Sequence, residues 1–319
     1  MALMKVLVTG ATGFVGSHTV DALLEQDHVV KCLVRKAPTG TRDRPRAEYV
    51  KGVDVGDLAT LKPEFFEGID AIVHLVGIIR EKGRGQTFQR IHVQGTRNIV
   101  QVAKHARFKG RFIYMSAIGS SAHALSEYSR TKALAEESVK TSGFPYTILR
   151  PSIILGKDGE FVEEMRGLVL HGGLPFPIPS PVVPVPGSGE NKFQPIYVND
   201  LMTCVIKSLD SEATKNQIIE VGGASPVTFN ALIESFMRHL GTKKPMLHMP
   251  IGLLSIIAPL MGIFPKPPFT KDQLKNLSRD NVCDIGPMKK IFGIEPMYFE
   301  DIMTIIFAAG DNKPRVAGD

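Results

Sequence analysis

The feature that most constrains this chain is a glycine triplet in a fixed local setting. Gly10-Ala-Thr-Gly13-Phe-Val-Gly16 stands directly after Lys5 to Thr9 (KVLVT), a short apolar run too brief for a helix and suited to a strand buried on both faces. Directly after it, Phe14, Val15, Val20, Leu23 and Leu24 recur as a helical stripe over Phe14 to Glu25. Glycine triplets are common in a chain with 30 glycines, so the spacing alone says little. Between a strand and a helix it says more. Glycines let the backbone turn tightly and approach a pyrophosphate, whose charge is favoured by unpaired N–H groups and the positive end of the helix dipole. The reading is dinucleotide binding by Gly10, Thr12, Gly13, Phe14, Val15 and Gly16, with a purely structural turn as the alternative.

Strand and helix patterns go on alternating. Strands are expected at Val29 to Val34, Tyr49 to Val53, Ala71 to Leu75, Arg111 to Met115 and Tyr146 to Leu149. Helices are expected at Ala59 to Phe66, Thr87 to His105 and Ser126 to Thr141. Such alternation implies an α/β fold with a doubly wound parallel sheet. After Arg150 the texture changes: Gly172 to Gly189 is too rich in proline and glycine for helix or central strand. One more helix (Val198 to Leu209) and strand (Gln217 to Val221) return to the sheet, and the remainder reads as mostly helical. Thr228 is expected to cap a helix over Phe229 to Leu240, and Thr270 with Gln273 to form a capping box. The expected organisation is a nucleotide-binding domain over 1–152 and 190–222, with a smaller, mostly helical substrate lobe over 153–189 and 223–319.

Composition narrows the partners. Three distant cysteines with no C-x-x-C pair exclude a disulfide framework and a zinc knuckle, so no metal is expected and a reducing, cytoplasmic setting is. The N-terminal apolar run breaks at Gly10 and lacks the long core of a signal peptide. The net charge of +6 is spread over Arg35 and Lys36, Arg42 to Arg46, Lys104 to Arg111 and Lys266 to Arg279, without the interleaved aromatics of a nucleic-acid platform. No nucleic-acid partner is expected. Met246 to Phe264 is apolar over about the length of a membrane span, but Pro250 and Pro259 argue against one spanning helix. It is expected to be a buried helix lining an apolar pocket, with a patch on a membrane surface as the alternative.

The second strand ends in Val34-Arg35-Lys36, two cations where a carboxylate would grip a ribose 2′-OH. A guanidinium pairs with phosphate, which favours NADP(H) over NAD(H). Asp54-Val55 is placed to address the adenine, or is a turn aspartate, and Leu75-Val76-Gly77 ends the fourth strand where the backbone passes the cofactor. His74 reads as a core histidine. Tyr128 and Lys132 share one helix face at i, i+4, and an adjacent ammonium is expected to lower the phenol pKa for proton transfer. The alternative is an exposed helix pair.

Taken together, GATGFVG (10–16), HLVG (74–77), HVQGTRN (92–98), YSRTK (128–132), LRPSIILG (149–156) and QPIYVNDL (194–201) resemble the extended and atypical short-chain dehydrogenase/reductase superfamily. The texture is most similar to the NAD(P)-dependent epimerase/dehydratase-like group that includes the NADPH-binding accessory subunit of respiratory complex I and its bacterial relatives. The resemblance implies a Rossmann fold, Tyr128 as general acid/base, Lys132 on the nicotinamide ribose, and Pro151 and Ile153 near the carboxamide. It also implies a hydroxyl after the fifth strand to orient the substrate oxygen. Here Ala117 falls at that place, with the candidate Ser116 one residue early, and His92 replaces the superfamily's helix asparagine. Two functions follow as expectations. One is an NADP(H)-dependent oxidoreductase or epimerase-like enzyme for a small or apolar carbonyl or alcohol, its pocket walled by Ile153 to Phe161 and Met246 to Phe264. The other is a non-catalytic NADPH-binding accessory, assembly or redox-sensing protein, peripheral to the inner membrane or a respiratory complex. A monomer and a homodimer both fit.

Overall fold

The structure is a computed structural model that describes residues 2–36, 46–83, 85–173, 179–261 and 269–308. Arg42, Arg44 and Lys266 of the basic groups lie outside the described residues. The chain divides into two compact units. The first holds residues 1–152, 198–222 and 281–295, and the second holds 153–197, 223–280 and 296–319. Relative to the expected boundaries, residues 190–197 belong to the second unit and 281–295 to the first.

The first unit is a seven-stranded parallel sheet. Its elements begin with β1 (Lys5–Thr9), α1 (Phe14–Glu25), β2 (Val29–Leu33), β3 (Ala47–Val50), β4 (Ala71–His74), α2 (Gly95–His105), β5 (Arg111–Met115), α3 (Glu127–Lys140) and β6 (Tyr146–Pro151). In the second unit come β7 (Ile154–Leu155), α4 (Glu160–His171), β8 (Val183–Pro186), β9 (Lys192–Phe193) and β10 (Ile196–Tyr197). The chain then returns to the first unit with α5 (Val198–Lys207) and β11 (Gln217–Val221). The sheet order is β11-β6-β5-β4-β1-β2-β3, so consecutive connections wind outward in opposite directions from β1 and β4. Open α/β sheets bind their ligands at the carboxyl edge of that reversal. One sheet face packs Leu7, Ile72, Phe112, Tyr114 and Ile148 against Ile99, Val102, Ala135 and Val139 of α2 and α3. On the other face α1 lies beside α5.

Local chemistry explains where the elements depart from expectation. The third strand runs Ala47–Val50 instead of continuing to Val53, because Gly52 turns the chain at φ +79°. The helix expected at Ala59 to Phe66 is two 3₁₀ turns, Leu58–Thr60 and Pro63–Phe66, since Pro63 cannot donate to a continuous helix. The helix expected from Thr87 is a π turn over Gln89–Gln94 followed by α2.

The second unit continues with β12 (Val227–Thr228), α6 (Phe229–His239), β13 (Met246–Met249), α7 (Ile251–Met261) and α8 (Lys271–Leu277). Next come α9 (Gly286–Phe292), in the first unit, and α10 (Phe299–Phe307). Thr228 caps α6 by accepting from the Ala231 amide, and Thr270 with Gln273 forms a full capping box on α8. The expected single buried helix over Met246 to Phe264 is instead strand β13, paired with β8, and then α7, with Pro250 between them. Nor is it uniformly buried: Leu254 packs inward while Leu253 and Ile256 are exposed. Among the described residues no helix is long and apolar enough to cross a membrane.

The core of the sheet should dominate stability. Ile113 on β5 is fully buried, so Ile113→Ala should cost about 2–5 kcal/mol in urea denaturation. By contrast, Ile256→Ser on the exposed side of α7 should stay within about 0.5 kcal/mol of the parent chain.

Candidate active site

The glycine turn is built by close backbone contact. Gly10 sits at φ +76°, and the Gly13 amide donates to its carbonyl at 3.0 Å. A Cβ on Gly16 would stand 2.0 Å from that same carbonyl oxygen, and one on Gly10 would stand 3.0 Å from the Val76 amide nitrogen. Only glycine lets α1 begin so close to the end of β1. Thr12 and Gly13 are exposed at the tip, and Phe14 and Val15 open the helix half-buried. Beneath the turn, His74 joins Thr9 Oγ1 through Nδ1 at 2.6 Å and Thr96 Oγ1 through Nε2 at 3.0 Å. It is a satisfied core histidine.

Past β2, Arg35 and Lys36 are both exposed, and the Gly52 amide donates to the Arg35 carbonyl at 3.3 Å. Asp54 is less open to an adenine than expected. Its Oδ1 accepts from the Gly56 amide at 2.9 Å and its Oδ2 accepts from Arg90 Nη2 at 2.7 Å. Burial alone would raise the pKa of this carboxyl, but Arg90, the Gly56 amide and Arg35 outweigh it and hold it below the usual value. Val55 is buried, and its carbonyl accepts from Asn98 Nδ2 at 2.8 Å.

Tyr128 and Lys132 lie on α3, whose N-terminus is capped by Ser126 accepting from the Ser129 amide. The Tyr128 ring meets Phe88 and His92 edge-on, with centroids 5.8 and 5.4 Å away. The Lys132 ammonium donates to the Met115 carbonyl at 2.9 Å and stands 5.2 Å from the Tyr114 ring centroid. A Cβ on Gly77 would come within 3.0 Å of Lys132 Nζ, which joins the Leu75-Val76-Gly77 segment to the helix pair. The glycine turn, this segment and Lys132 therefore meet at the carboxyl edge of β1, β4 and β5.

The expected lowering of the phenol pKa does not occur. Burial pushes Tyr128 up to about 12 and Lys132 down to about 8, with Glu136 opposing the latter. Burial is the cause at Tyr128, and the Lys132 ammonium is engaged with the Met115 carbonyl and the Tyr114 ring.

His92 occupies the π turn. His92 Nδ1 stands 2.9 Å from Thr131 Oγ1, and its Nε2 stands 3.1 Å from both the amide nitrogen and the carbonyl oxygen of Ile78. Thus the imidazole ties the segment after β4 to the residue beside Lys132.

Ser116 directly follows β5. Its hydroxyl donates to Glu136 and so has no proton left for a substrate oxygen. Glu136 is also gripped by Arg150 through Nε at 2.8 Å and Nη2 at 2.6 Å. Pro151 ends β6, where its carbonyl accepts from the Ile118 amide at 3.0 Å. Ile153 belongs to the second unit, where its carbonyl accepts from Ile196. Glu136, Arg150, Thr131 and Arg90 were not expected as site residues, although Thr131 and Arg150 fall inside YSRTK and LRPSIILG, and Glu136 stands four residues after Lys132 on one helix face.

These elements define a nicotinamide-dinucleotide-binding α/β protein with a Tyr/Lys helix at the sheet's carboxyl edge. The chain belongs to the NAD dependent epimerase/dehydratase family, whose model matches residues 6–222. It is 26% identical over 300 residues to the mitochondrial NADH dehydrogenase [ubiquinone] 1 alpha subcomplex subunit 9 of Arabidopsis thaliana, covering 88% of this chain and 71% of that one. It is 25% identical to sterol demethylase protein B of Methylococcus capsulatus, over 92% of this chain and 94% of that one. The UDP-glucose 4-epimerase of Thermotoga maritima, solved with UDP-glucose, shares the fold with a TM-score of 0.72 at 20% identity, over 95% of this chain and 97% of that one.

The buried histidines make stability sensitive to acid. Burial first and the Lys132 charge second hold His74 down to about 3 and His92 to about 2. The unfolded chain protonates both near the ordinary 6.5, so the stability they confer is complete above that pH and falls as pH drops toward 3. Each should remove up to about 1.4 kcal/mol per pH unit below 6.5. Urea midpoints between pH 7.5 and 4.5 should show this decline, and His74→Gln should reduce its slope.

Proposed function

We propose that the chain is an NADP(H)-dependent oxidoreductase or epimerase-like enzyme acting on an apolar carbonyl or alcohol. The observation that carries this reading is the meeting of the glycine turn, the Leu75-Val76-Gly77 segment and the Tyr128/Lys132 face on one sheet edge. The turn suits a dinucleotide, since glycine at 10 and 16 lets β1 and α1 close on each other and leaves Thr12 and Gly13 exposed at the helix N-terminus. The backbone of Gly10 to Gly16 would hold the pyrophosphate, Val55 and Asp54 the adenine side, Lys132 the nicotinamide ribose and Pro151 the carboxamide side. Arg35 and Lys36 would take a 2′-phosphate, while the Asp54 carboxylate is engaged by Arg90.

When bound, the nicotinamide supplies the hydride donor or acceptor. Tyr128 holds a proton on its phenol oxygen at neutral pH, because burial raises it to about 12, and that state suits donation to a carbonyl being reduced. Ile79, next to the Ile78 that meets His92, is 40% exposed, and Leu125, three residues before Tyr128 in the chain, is 55% exposed. That surface supports an apolar substrate, as does the likeness to a protein named for sterol demethylation.

A second reading, a non-catalytic NADPH-binding accessory protein, draws on Ser116. With that hydroxyl bound to Glu136 and Ala117 following it, a developing alkoxide loses one expected donor. The likeness to a protein named as a respiratory-complex subunit points the same way.

Calorimetry with NADPH and NADH tests the cofactor. NADPH should bind at least about tenfold tighter, a difference of about 1.4 kcal/mol, and Arg35→Glu should erase the preference. NADPH oxidation against a panel of apolar ketones and aldehydes tests the reaction. Tyr128→Phe should lower turnover by about 10²–10⁴-fold with nucleotide affinity nearly unchanged. Equal turnover in the variant overturns the role of Tyr128, and tight binding without oxidation of any carbonyl selects the accessory reading.

A further inference from the structure

We propose that Glu136 is a positioning residue of this site, a buried counter-charge on the α3 face that carries Lys132, holding that face against the ends of β5 and β6. The role given to Lys132 rests on the oxidoreductase reading, but the placement by Glu136 stands on geometry alone. Lys132 and Glu136 are four residues apart on α3, so they share a helix face. They engage two consecutive residues at the end of β5: Lys132 Nζ donates to the Met115 carbonyl at 2.9 Å, and Ser116 Oγ donates to the Glu136 carboxylate. Arg150 from β6 completes the arrangement with two donations to the same carboxylate, at 2.8 and 2.6 Å. Two adjacent anchors on one strand therefore set the depth and rotation of α3. The Glu136 side chain is 4% exposed, a degree of burial that a carboxylate tolerates when it is paired and hydrogen-bonded.

The surroundings of Lys132 leave it little other compensation. His74 on β4 and His92 in the π turn are both neutral, and each feels the lysine charge. Tyr114 on β5 and Tyr128 on α3 are protonated phenols, raised by burial. Among the described residues the carboxylate acting on Lys132 is Glu136, and it opposes the burial that brings the lysine down to about 8. Arg150 pairs with that carboxylate and tempers its field, and Glu220, whose Oε1 is 3.8 Å from Arg150 Nη1, offsets part of the Arg150 charge in turn. The arrangement also explains why Ser116 faces inward: its hydroxyl is part of the mount for the lysine.

The test is an NMR titration of the full chain carrying ¹³C-labelled lysine, with the Lys132 Cε signal assigned by its loss in Lys132→Arg. Glu136→Gln keeps the shape and an acceptor for Ser116 and Arg150 but removes the charge. The Lys132 midpoint should then fall by about one pH unit or more, and Glu136→Asp should restore most of it. A midpoint in folded Glu136→Gln equal to or above that of the parent chain overturns the proposal. Should Glu136→Gln fail to fold, Arg150→Gln decides: loss of the tempering cation should move the midpoint up, and no upward shift overturns the proposal. No nucleotide or substrate is present in this titration. Its outcome is therefore separate from NADPH binding and the Tyr128→Phe assay, on which the functional reading depends.

Discussion

The close approach of Gly16 to the Gly10 carbonyl is the constraint on which the rest of this site depends. A side-chain carbon there would have to occupy space 2.0 Å from a backbone oxygen, so the junction between β1 and α1 admits no other residue without opening. The tight junction leaves Thr12 and Gly13 exposed at the carboxyl end of the sheet and presses Gly10 against Val76. From that contact the fourth strand's exit is aligned, and Gly77 comes to lie under the Lys132 ammonium. A change of one methyl group at position 16 would therefore be felt at a lysine more than a hundred residues away in the chain.

The second physical theme is dehydration. An ammonium with little solvent is costly, and several modest interactions offset that cost. A hydrogen bond to a carbonyl from a charged donor contributes about 1.5–3 kcal/mol and a cation–π contact about 0.5–2. The buried carboxylate of Glu136 adds a longer-range attraction. The same dryness keeps His74 and His92 neutral and raises the Tyr128 phenol. The proton inventory of the site is thus set chiefly by burial and only secondarily by neighbouring charge.

Much of the fold was legible because parallel sheets buried on both faces leave a local imprint. KVLVT, AIVH and RFIYM are apolar runs between turn residues, and β1 and β5 fall where those runs end. The glycine turn was legible for the same reason: its chemistry is backbone chemistry at fixed spacing. The boundaries between the two units were less so, since whether residues 281–295 belong to the first unit depends on contacts far apart in sequence. Met246 to Phe264 misled because apolarity does not separate a strand paired with β8 from a helix. At the site, Tyr128 and Lys132 were visible as an i, i+4 pair, but which way Ser116 points is decided by Glu136 and Arg150. The Asp54–Arg90 pair joins residues 36 apart. Such pairings are products of the tertiary fold and have no local pattern.

The inward turn of Ser116 has a chemical consequence on the oxidoreductase reading. A second donor at a developing oxyanion is commonly worth about 10²–10³ in rate. With Ser116 mounted on Glu136, Tyr128 is the donor left to meet that charge, and its raised pKa makes it a reluctant acid whose proton moves late. A site of this kind favours carbonyls that accept hydride readily over those that need strong polarisation.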